Sequence, residues 1–243
     1  MHIQFVGSGD AFGSGGRFNT CFHVAGREFN FLIDCGASSL VAMKRFGIDC
    51  NSIDLIVLTH YHADHCGGVP FFILDARFLA QRTRPLTIAG PPPVKEWFAR
   101  QMDAAFEGLL RPGKKFELSL VELTPEHPWR FKNAEIRSFQ VPHGGPPESS
   151  YGYRIDIDGK VLAVSGDTEW TERLIDIGRD ADLFVSEAYV YDGPVHTHLA
   201  YRQLLEKLPL IRPKRLIITH MGEDMLNRAI AHEKAHDGLI VKF

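Results

Sequence analysis

Residues Thr59 to Gly68 read THYHADHCGG. His60, His62, Asp64 and His65 crowd into one short stretch between an apolar run and a glycine pair. Imidazole nitrogens and carboxylate oxygens are the donors that bind zinc and similar divalent ions. His60 and His62 are two apart, so in an extended segment they point the same way. Asp64 and His65 come at the turn into a helix and can aim at a second point nearby. One ion takes four such closely spaced donors poorly, whereas two ions about 3.5–4 Å apart can share them.

Two ions need further ligands from elsewhere in the chain. The candidates are His143 in VPHGG, Asp167 in SGDT and His220 in THMG. A lone histidine is ordinarily a surface or core residue. What sets these apart is their placement just past the ends of predicted strands, where α/β folds build their sites.

The elements that would carry them follow from the pattern. Strands are expected at His2 to Val6, Thr20 to Val24, Phe29 to Ile33, Leu55 to Leu58 and Leu86 to Ala89. Glu117 to Val141 holds up to three more. Tyr151 to Ile157 and Val161 to Val164 flank Asp158-Gly159, a hairpin turn signal. Leu183 to Val185 and Leu216 to Ile218 end near Glu187 and His220. Helices are expected at Ser38 to Phe46, Gly68 to Ala80, Val94 to Phe106, Glu172 to Ile177, Ala200 to Lys207 and Asp224 to Glu233. Strands in both halves with intervening helices predict two sheets packed face to face with helices outside.

Composition bounds the answer. The chain has 243 residues, 44% of them hydrophobic, which suits one large α/β domain over 1–243. The formal net charge of −3 gives no electrostatic case for a dedicated nucleic-acid binder. The first residues lack a basic start followed by an apolar core, so no signal peptide is expected, and no apolar run is long enough to span a membrane. Cys21, Cys35, Cys50 and Cys66 form no CxxC pair. They predict free thiols in a reducing cytoplasm.

THYHADH resembles the HxHxDH signature of the metallo-β-lactamase superfamily. The order Asp34, HxHxDH, His143, Asp167, His220 is similar to that superfamily's series of motifs. The resemblance implies an α/β fold, a four-layer αβ/βα sandwich of two mixed sheets with metals at one edge. It implies that His60, His62 and His143 hold one metal and Asp64, His65 and His220 the other, with Asp167 bridging. Asp34 would orient ligands without being one. The cofactors implied are two divalent ions, zinc first, with manganese or iron as alternatives.

Within the superfamily the chain looks like the ribonuclease Z and phosphodiesterase branch. FVGSGDA from Phe5, SYGYRI from Ser150, SEA from Ser186 and HTH from His196 carry that resemblance in order. Ser186 stands where the branch has His. The long basic Gly/Pro-rich arm of ribonuclease Z has no counterpart between Cys66 and Pro142; Arg111-Pro112-Gly113-Lys114-Lys115 is the nearest approach. The expected partners are therefore a small-molecule or nucleotide-like anionic substrate, with no long nucleic acid and no membrane; homodimerisation is left open.

The function these residues predict is a dinuclear metal-dependent phosphodiesterase using a metal-bridging hydroxide as nucleophile. The catalytic set is His198, Glu187 and Asp64. His198 protonates the leaving oxygen with Glu187 orienting it, and it is preferred to His196 because it begins a helix. The alternatives are a carboxylic ester, lactone or thioester hydrolase of the same fold, or a non-hydrolytic metal-binding accessory protein. Among the remaining residues, Cys66 reads as small and buried. The Gly7 to Gly16 loop reads equally as a phosphate cradle or a plain turn. Phe18, Phe71, Phe72 and Trp170 read as core or rim. His23, His127, His232 and His236 read as surface, and Arg77, Arg82 and Arg84 as a solvated helix face.

Overall fold

The structure, a computed structural model, describes residues 1–108, 115–125, 127–145 and 150–243. Most of the basic run at Arg111 to Lys114, and Pro146-Pro147, lie outside the described residues.

Two seven-stranded mixed sheets form the centre. The first holds, in spatial order, β14 (Ile240–Lys242), β1 (His2–Gly7), β2 (Cys21–Ala25), β3 (Asn30–Ile33), β4 (Ile53–Val57), β5 (Leu86–Gly90) and β6 (Leu118–Glu122). The second runs β13 (Glu233–Lys234), β12 (Leu216–Thr219), β11 (Leu183–Glu187), β10 (Lys160–Val164), β9 (Tyr151–Ile157), β8 (Ala134–Gln140) and β7 (Trp129–Phe131). β3 to β6 are mutually parallel, as are β10 to β13. Their C-terminal ends therefore deliver polar residues to one edge.

Alternation along the strands builds three apolar layers. Ile3, Phe5, Phe22, Val24, Ile33 and Val57 face Ile136, Tyr153, Ile155, Leu162 and Val185 between the sheets. On the outer face of the first sheet, Leu32, Ile56 and Ile88 pack under α1 (Ser39–Arg45), α3 (Val69–Phe78) and α4 (Val94–Ala105) through Met43, Phe72 and Trp97. On the outer face of the second, Phe184 and Ile218 pack under α5 (Arg173–Gly178) and α6 (Tyr201–Ile211) through Leu174, Leu204 and Ile211. β4 is buried along its whole length, which explains why Leu55 to Leu58 shows no polar alternation. The four-layer sandwich expected from the sequence is the observed fold.

The Asp158-Gly159 turn forms as expected. Both residues have positive φ, 56° and 76°, and Ile157 pairs with Lys160; this is the primed geometry that suits a twisted hairpin. The helix expected at Gly68 to Ala80 forms as α3, with a separate short helix, α2 (Ala63–Cys66), ahead of it. Three expectations fail. Asp224 to Glu233 is not one helix: α7 covers only Glu223–Leu226, and Glu233 opens β13. Lys234 Nζ there caps the carbonyls of Met225, Leu226 and Arg228. His23 is buried on the outer face of β2, not at the surface. Arg82 is 1% exposed and donates to the carbonyls of Cys50, Asn51, Ile53, Arg84 and Pro85. Periodicity marks a basic run as solvated, but it carries no sign of unpaired carbonyls waiting in the neighbouring loops.

All four cysteines are buried free thiols. Burial pushes Cys21 and Cys66 up to about 12 and Cys50 up to about 11. Among the described residues no helix is long and apolar enough to cross a membrane.

Candidate metal centre

The HxHxDH stretch leaves β4 and is folded back by a crossing with the end of β3. Cys35 N–H donates to His65 O at 2.7 Å, and Gly68 N–H to Cys35 O at 2.8 Å. A Cβ on Gly36 would lie 2.1 Å from Asp64 O, and one on Gly68 2.2 Å from Gly36 O. The two chains can approach this closely only because both positions are glycine. The glycine pair after the histidines thus shapes the turn.

Asp34, at φ 60°, sits beneath the turn. Thr59 N–H donates to Asp34 Oδ1 at 2.7 Å, and Thr59 Oγ1–H to Oδ2 at 2.8 Å. His65 Nδ1 meets Asp34 Oδ2 at 2.7 Å. Asp34 accepts that proton, which fixes the His65 tautomer and leaves Nε2 free to act as a ligand. His143 is set the same way, with Nδ1–H donating to the Thr197 carbonyl at 2.6 Å. His60 Nδ1 lies 3.1 Å from Thr59 Oγ1. His220 Nδ1 lies 3.2 Å from Thr20 Oγ1. Asp34, Thr197 and His220 all hold positive φ, which costs free energy in residues with a Cβ and concentrates at functional sites.

The free ring atoms converge. His60, His62 and His143 place ligand atoms within 4.8 Å of one another, and so do Asp64, His65, Asp167 and His220. Asp167 Oδ2 lies 3.1 Å from His220 Nε2, 3.2 Å from His65 Nε2 and 3.8 Å from His143 Nε2. It is the group common to both sets of rings. His62 Nδ1 faces His143 Nε2 at 3.1 Å. His60 Nε2 and His65 Nε2 are buried without a hydrogen-bond partner. Buried ring nitrogens are costly to leave unpaired. Their aim into a cluster of lone pairs is what resident divalent cations would satisfy, so the donor set fits the metals.

Charge follows the same logic. Burial pulls the His60, His143 and His220 imidazoles down, His220 to about 4, so these rings are neutral and their lone pairs are available at pH 7. Burial pushes Asp167 up, but His220 and His65 overcome it and hold the carboxyl well below its usual range.

His198 and Glu187 stand beside the cluster. His198 Nδ1 meets Glu187 Oε2 at 3.1 Å and Asp167 Oδ2 at 4.0 Å. Glu187 also accepts from Thr168 N–H. Burial lowers His198, but the Glu187 hydrogen bond and charge raise it more, and the pair carries a shared proton on the imidazole. His198 lies in the loop ahead of α6 and does not begin it; α6 starts at Tyr201, after the bridge between Val190 and Ala200. Stacking holds it instead. Tyr189 lies 4.9 Å from it with planes 27° apart, and His220 lies 5.4 Å away at 22°. His196 is exposed. The sequence reading missed Thr20, Thr59, Tyr189 and Thr197; only Thr59, inside the motif, carried any local signal.

The Gly-rich loop is a turn. Phe12 and Ser14 N–H donate to Asp10 Oδ1, Gly15 N–H to Glu223 and Gly16 N–H to Gly13 O. Those donors are spent within the chain, which favours the plain-turn reading.

A family model described as Anti-Pycsar protein Apyc1 matches residues 1–242. The chain belongs to this family. Ribonuclease Z of Agathobacter rectalis is 34% identical over 142 residues, which is 58% of this chain and 44% of that one. The chain thus matches under half the length of that curated relative. Among solved structures, the metallo-β-lactamase fold protein YhfI from Bacillus subtilis aligns with a TM-score of 0.80 at 18% identity, covering 99% of this chain and 98% of that one. Human tRNase Z, short form, aligns at 0.78 with 21% identity over 100% and 99%. These likenesses show the metallo-β-lactamase fold, and the resemblance to the ribonuclease Z-like branch stands.

They also correct one expectation. The sequence reading excluded a long nucleic acid partner because it found no basic clamp arm. A relative named ribonuclease Z matches this chain in sequence and human tRNase Z shares its fold, so the lack of such an arm does not exclude RNA. The missing arm removes one contact device, not the site.

Proposed function

We propose that this Apyc1-family chain is a dinuclear metal-dependent phosphodiesterase, with residues 1–243 working as one metallo-β-lactamase-like domain. His60, His62 and His143 would hold one divalent ion, and Asp64, His65 and His220 the other, with Asp167 shared. Zinc suits the donor set best, and manganese or iron can take its place. The observation that carries the reading is the convergence of seven donors from four strand ends into two adjoining clusters, with two buried ring nitrogens otherwise unbonded.

Such ions, when bound, supply Lewis-acid polarisation of a phosphoryl oxygen and activation of a water. The chain's own residues do the rest. Asp34 and the Thr197 carbonyl hold His65 and His143 in the ligating tautomer. The two carboxylates leave a pair of divalent ions incompletely neutralised, which favours an anionic ester over a neutral one. His198 has Nδ1 committed to Glu187, so Nε2 is the atom that gives a proton to the leaving oxygen as its bond to phosphorus breaks. The buried, protonated thiols suit a reducing compartment, in keeping with a cytoplasmic protein.

The test is a substrate panel on the metal-loaded chain. Bis-p-nitrophenyl phosphate, cyclic nucleotides and short RNA are set against p-nitrophenyl acetate and a lactone. Turnover confined to the phosphodiesters supports the reading. Faster turnover of the acetate or lactone, or none at all with metal bound, overturns it.

A further inference from the structure

Thr197 is branched at Cβ and sits at φ 69°, a left-handed conformation that such residues adopt only where their surroundings impose it. Two hydrogen bonds impose it here. Thr197 N–H donates to Glu169 Oε1 at 2.8 Å, and Thr197 O accepts from His143 Nδ1–H at 2.6 Å. The first holds the peptide plane ahead of the torsion, and the second holds the plane behind it. Released at either end, the torsion can relax to the negative φ that threonine prefers, which swings the carbonyl off His143. The plane that carries this carbonyl also carries the N–H of His198, so His198 moves with it.

Glu169 is placed to prevent that. Its own N–H donates to Pro142 O at 2.8 Å, and its carbonyl accepts from Thr168 Oγ1–H at 2.6 Å. Pro142 precedes His143 in the chain. The bonds close a ring, from His143 to Thr197, from Thr197 to Glu169 and from Glu169 back to Pro142. In the same turn Thr168 N–H donates to Glu187, the partner of His198. Asp167-Thr168-Glu169 therefore reaches the shared carboxylate, the partner of the proton donor and the strained loop residue. Among the described residues Glu169 belongs to no donor cluster, and it is exposed. An exposed carboxylate is ordinarily replaceable without consequence; this one is set apart by the torsion that its hydrogen bond restrains.

We propose that Glu169 is a positioning residue for the metal centre: through Thr197 it keeps a carbonyl on His143 Nδ1 and holds His198 beside Glu187. The inference rests on the dinuclear reading and refines it. The loop from Asp192 to His198 is then tied to the ion held by His60, His62 and His143, and not to the ion held by Asp64, His65 and His220.

Zinc affinity is measured on the stripped chain by competition with a chromogenic chelator, for the parent, Glu169→Ala, Glu169→Gln and Asp192→Ala. Asp192→Ala loosens the far end of the loop, where Asp192 Oδ2 accepts from Arg202 at 2.9 Å, and leaves the ring intact. Exchange of the Thr197 amide proton is followed by NMR on metal-free samples. Glu169→Ala should weaken one of the two zinc steps by roughly three- to tenfold, less than the about 10- to 100-fold of a partner that touches the ligand directly. The other zinc step should hold, and the Thr197 exchange should speed up. Glu169→Gln keeps an acceptor for Thr197 N–H and should retain most of the affinity and the protection, and Asp192→Ala should match the parent. The role is overturned if Glu169→Ala leaves both steps unchanged or weakens both alike. It is also overturned if Glu169→Gln is as impaired as Glu169→Ala, or if Asp192→Ala shows the same loss. A parent with only one zinc step refutes the dinuclear reading, and the Thr197 exchange then decides on Glu169. Unchanged exchange in Glu169→Ala overturns its role; faster exchange that Glu169→Gln restores upholds it. A parent that takes two ions and shows the expected pattern yet cleaves no phosphodiester refutes the proposed function and leaves the role of Glu169 standing.

Discussion

Asp34 Oδ2 and His65 Nδ1 lie 2.7 Å apart, both side chains buried. Asp34 touches no candidate metal position, yet it decides which nitrogen of His65 is free. Asp34→Ala should therefore lower metal affinity by about 10- to 100-fold, read by competition with a chromogenic chelator. Unchanged affinity would show that His65 needs no such support. The fold should survive, because the backbone bonds from Asp34 N–H to Val57 O on β4 and from Cys35 N–H to His65 O on α2 do not depend on the Asp34 side chain.

His198 and its stacking partner should behave differently from the ligands. His198→Ala should lower turnover by about 10²- to 10⁴-fold with metal content intact. Tyr189→Leu removes the face that packs at 4.9 Å and should give a smaller loss of kcat at unchanged metal content. Loss of metal in His198→Ala would make it a ligand, consistent with its place near His143 and Asp167, and would remove the proton-donor role.

Arg82 is the structural counterpart of these functional groups. Its guanidinium saturates five carbonyls in loops around β4 and β5. Arg82→Met leaves those buried acceptors unpaired and should cost at least about 3 kcal/mol, measured by urea unfolding. A cost under about 1 kcal/mol would mean that water replaces the side chain.

His23 predicts a pH dependence away from the metal centre. Burial, with the neighbouring His2, lowers its imidazole to about 4, and neither ring nitrogen has a hydrogen-bond partner. The folded state therefore resists a proton that the unfolded chain accepts at its ordinary value near 6.5. Stability attributable to this residue falls as pH drops below 6.5, and the loss is complete near pH 4, at most about 3 kcal/mol. His23→Leu should gain on the parent progressively across that window, with little difference at pH 7.5. A constant difference at all pH values would refute the assignment.

Much of this molecule was legible from its residues. The β-branched run at Leu55 to Leu58, the Asp158-Gly159 turn and the strand-end placement of His143, Asp167 and His220 each follow from local rules, and together they define the sandwich and its edge. What escaped was decided by distant partners. Nothing in the sequence near Arg82 announces five carbonyls, and nothing near His23 announces that the fold buries it. Asp224 to Glu233 has helical composition, but Glu233 is taken by the edge of β12 and Lys234 by three carbonyls. Tyr189 reaches His198 through the fold, with no spacing to mark it. The RNA question was misjudged for a related reason: a missing appendage was weighed more heavily than the likeness to ribonuclease Z in sequence and fold.

Metal stoichiometry decides whether two ions sharing Asp167 are the heart of this protein. The chain is stripped with chelator, reloaded with zinc, desalted and analysed by mass spectrometry for metal per folded chain, beside His143→Ala. Two equivalents in the parent and about one in the variant are expected. A folded parent that retains one equivalent or none would contradict the dinuclear centre.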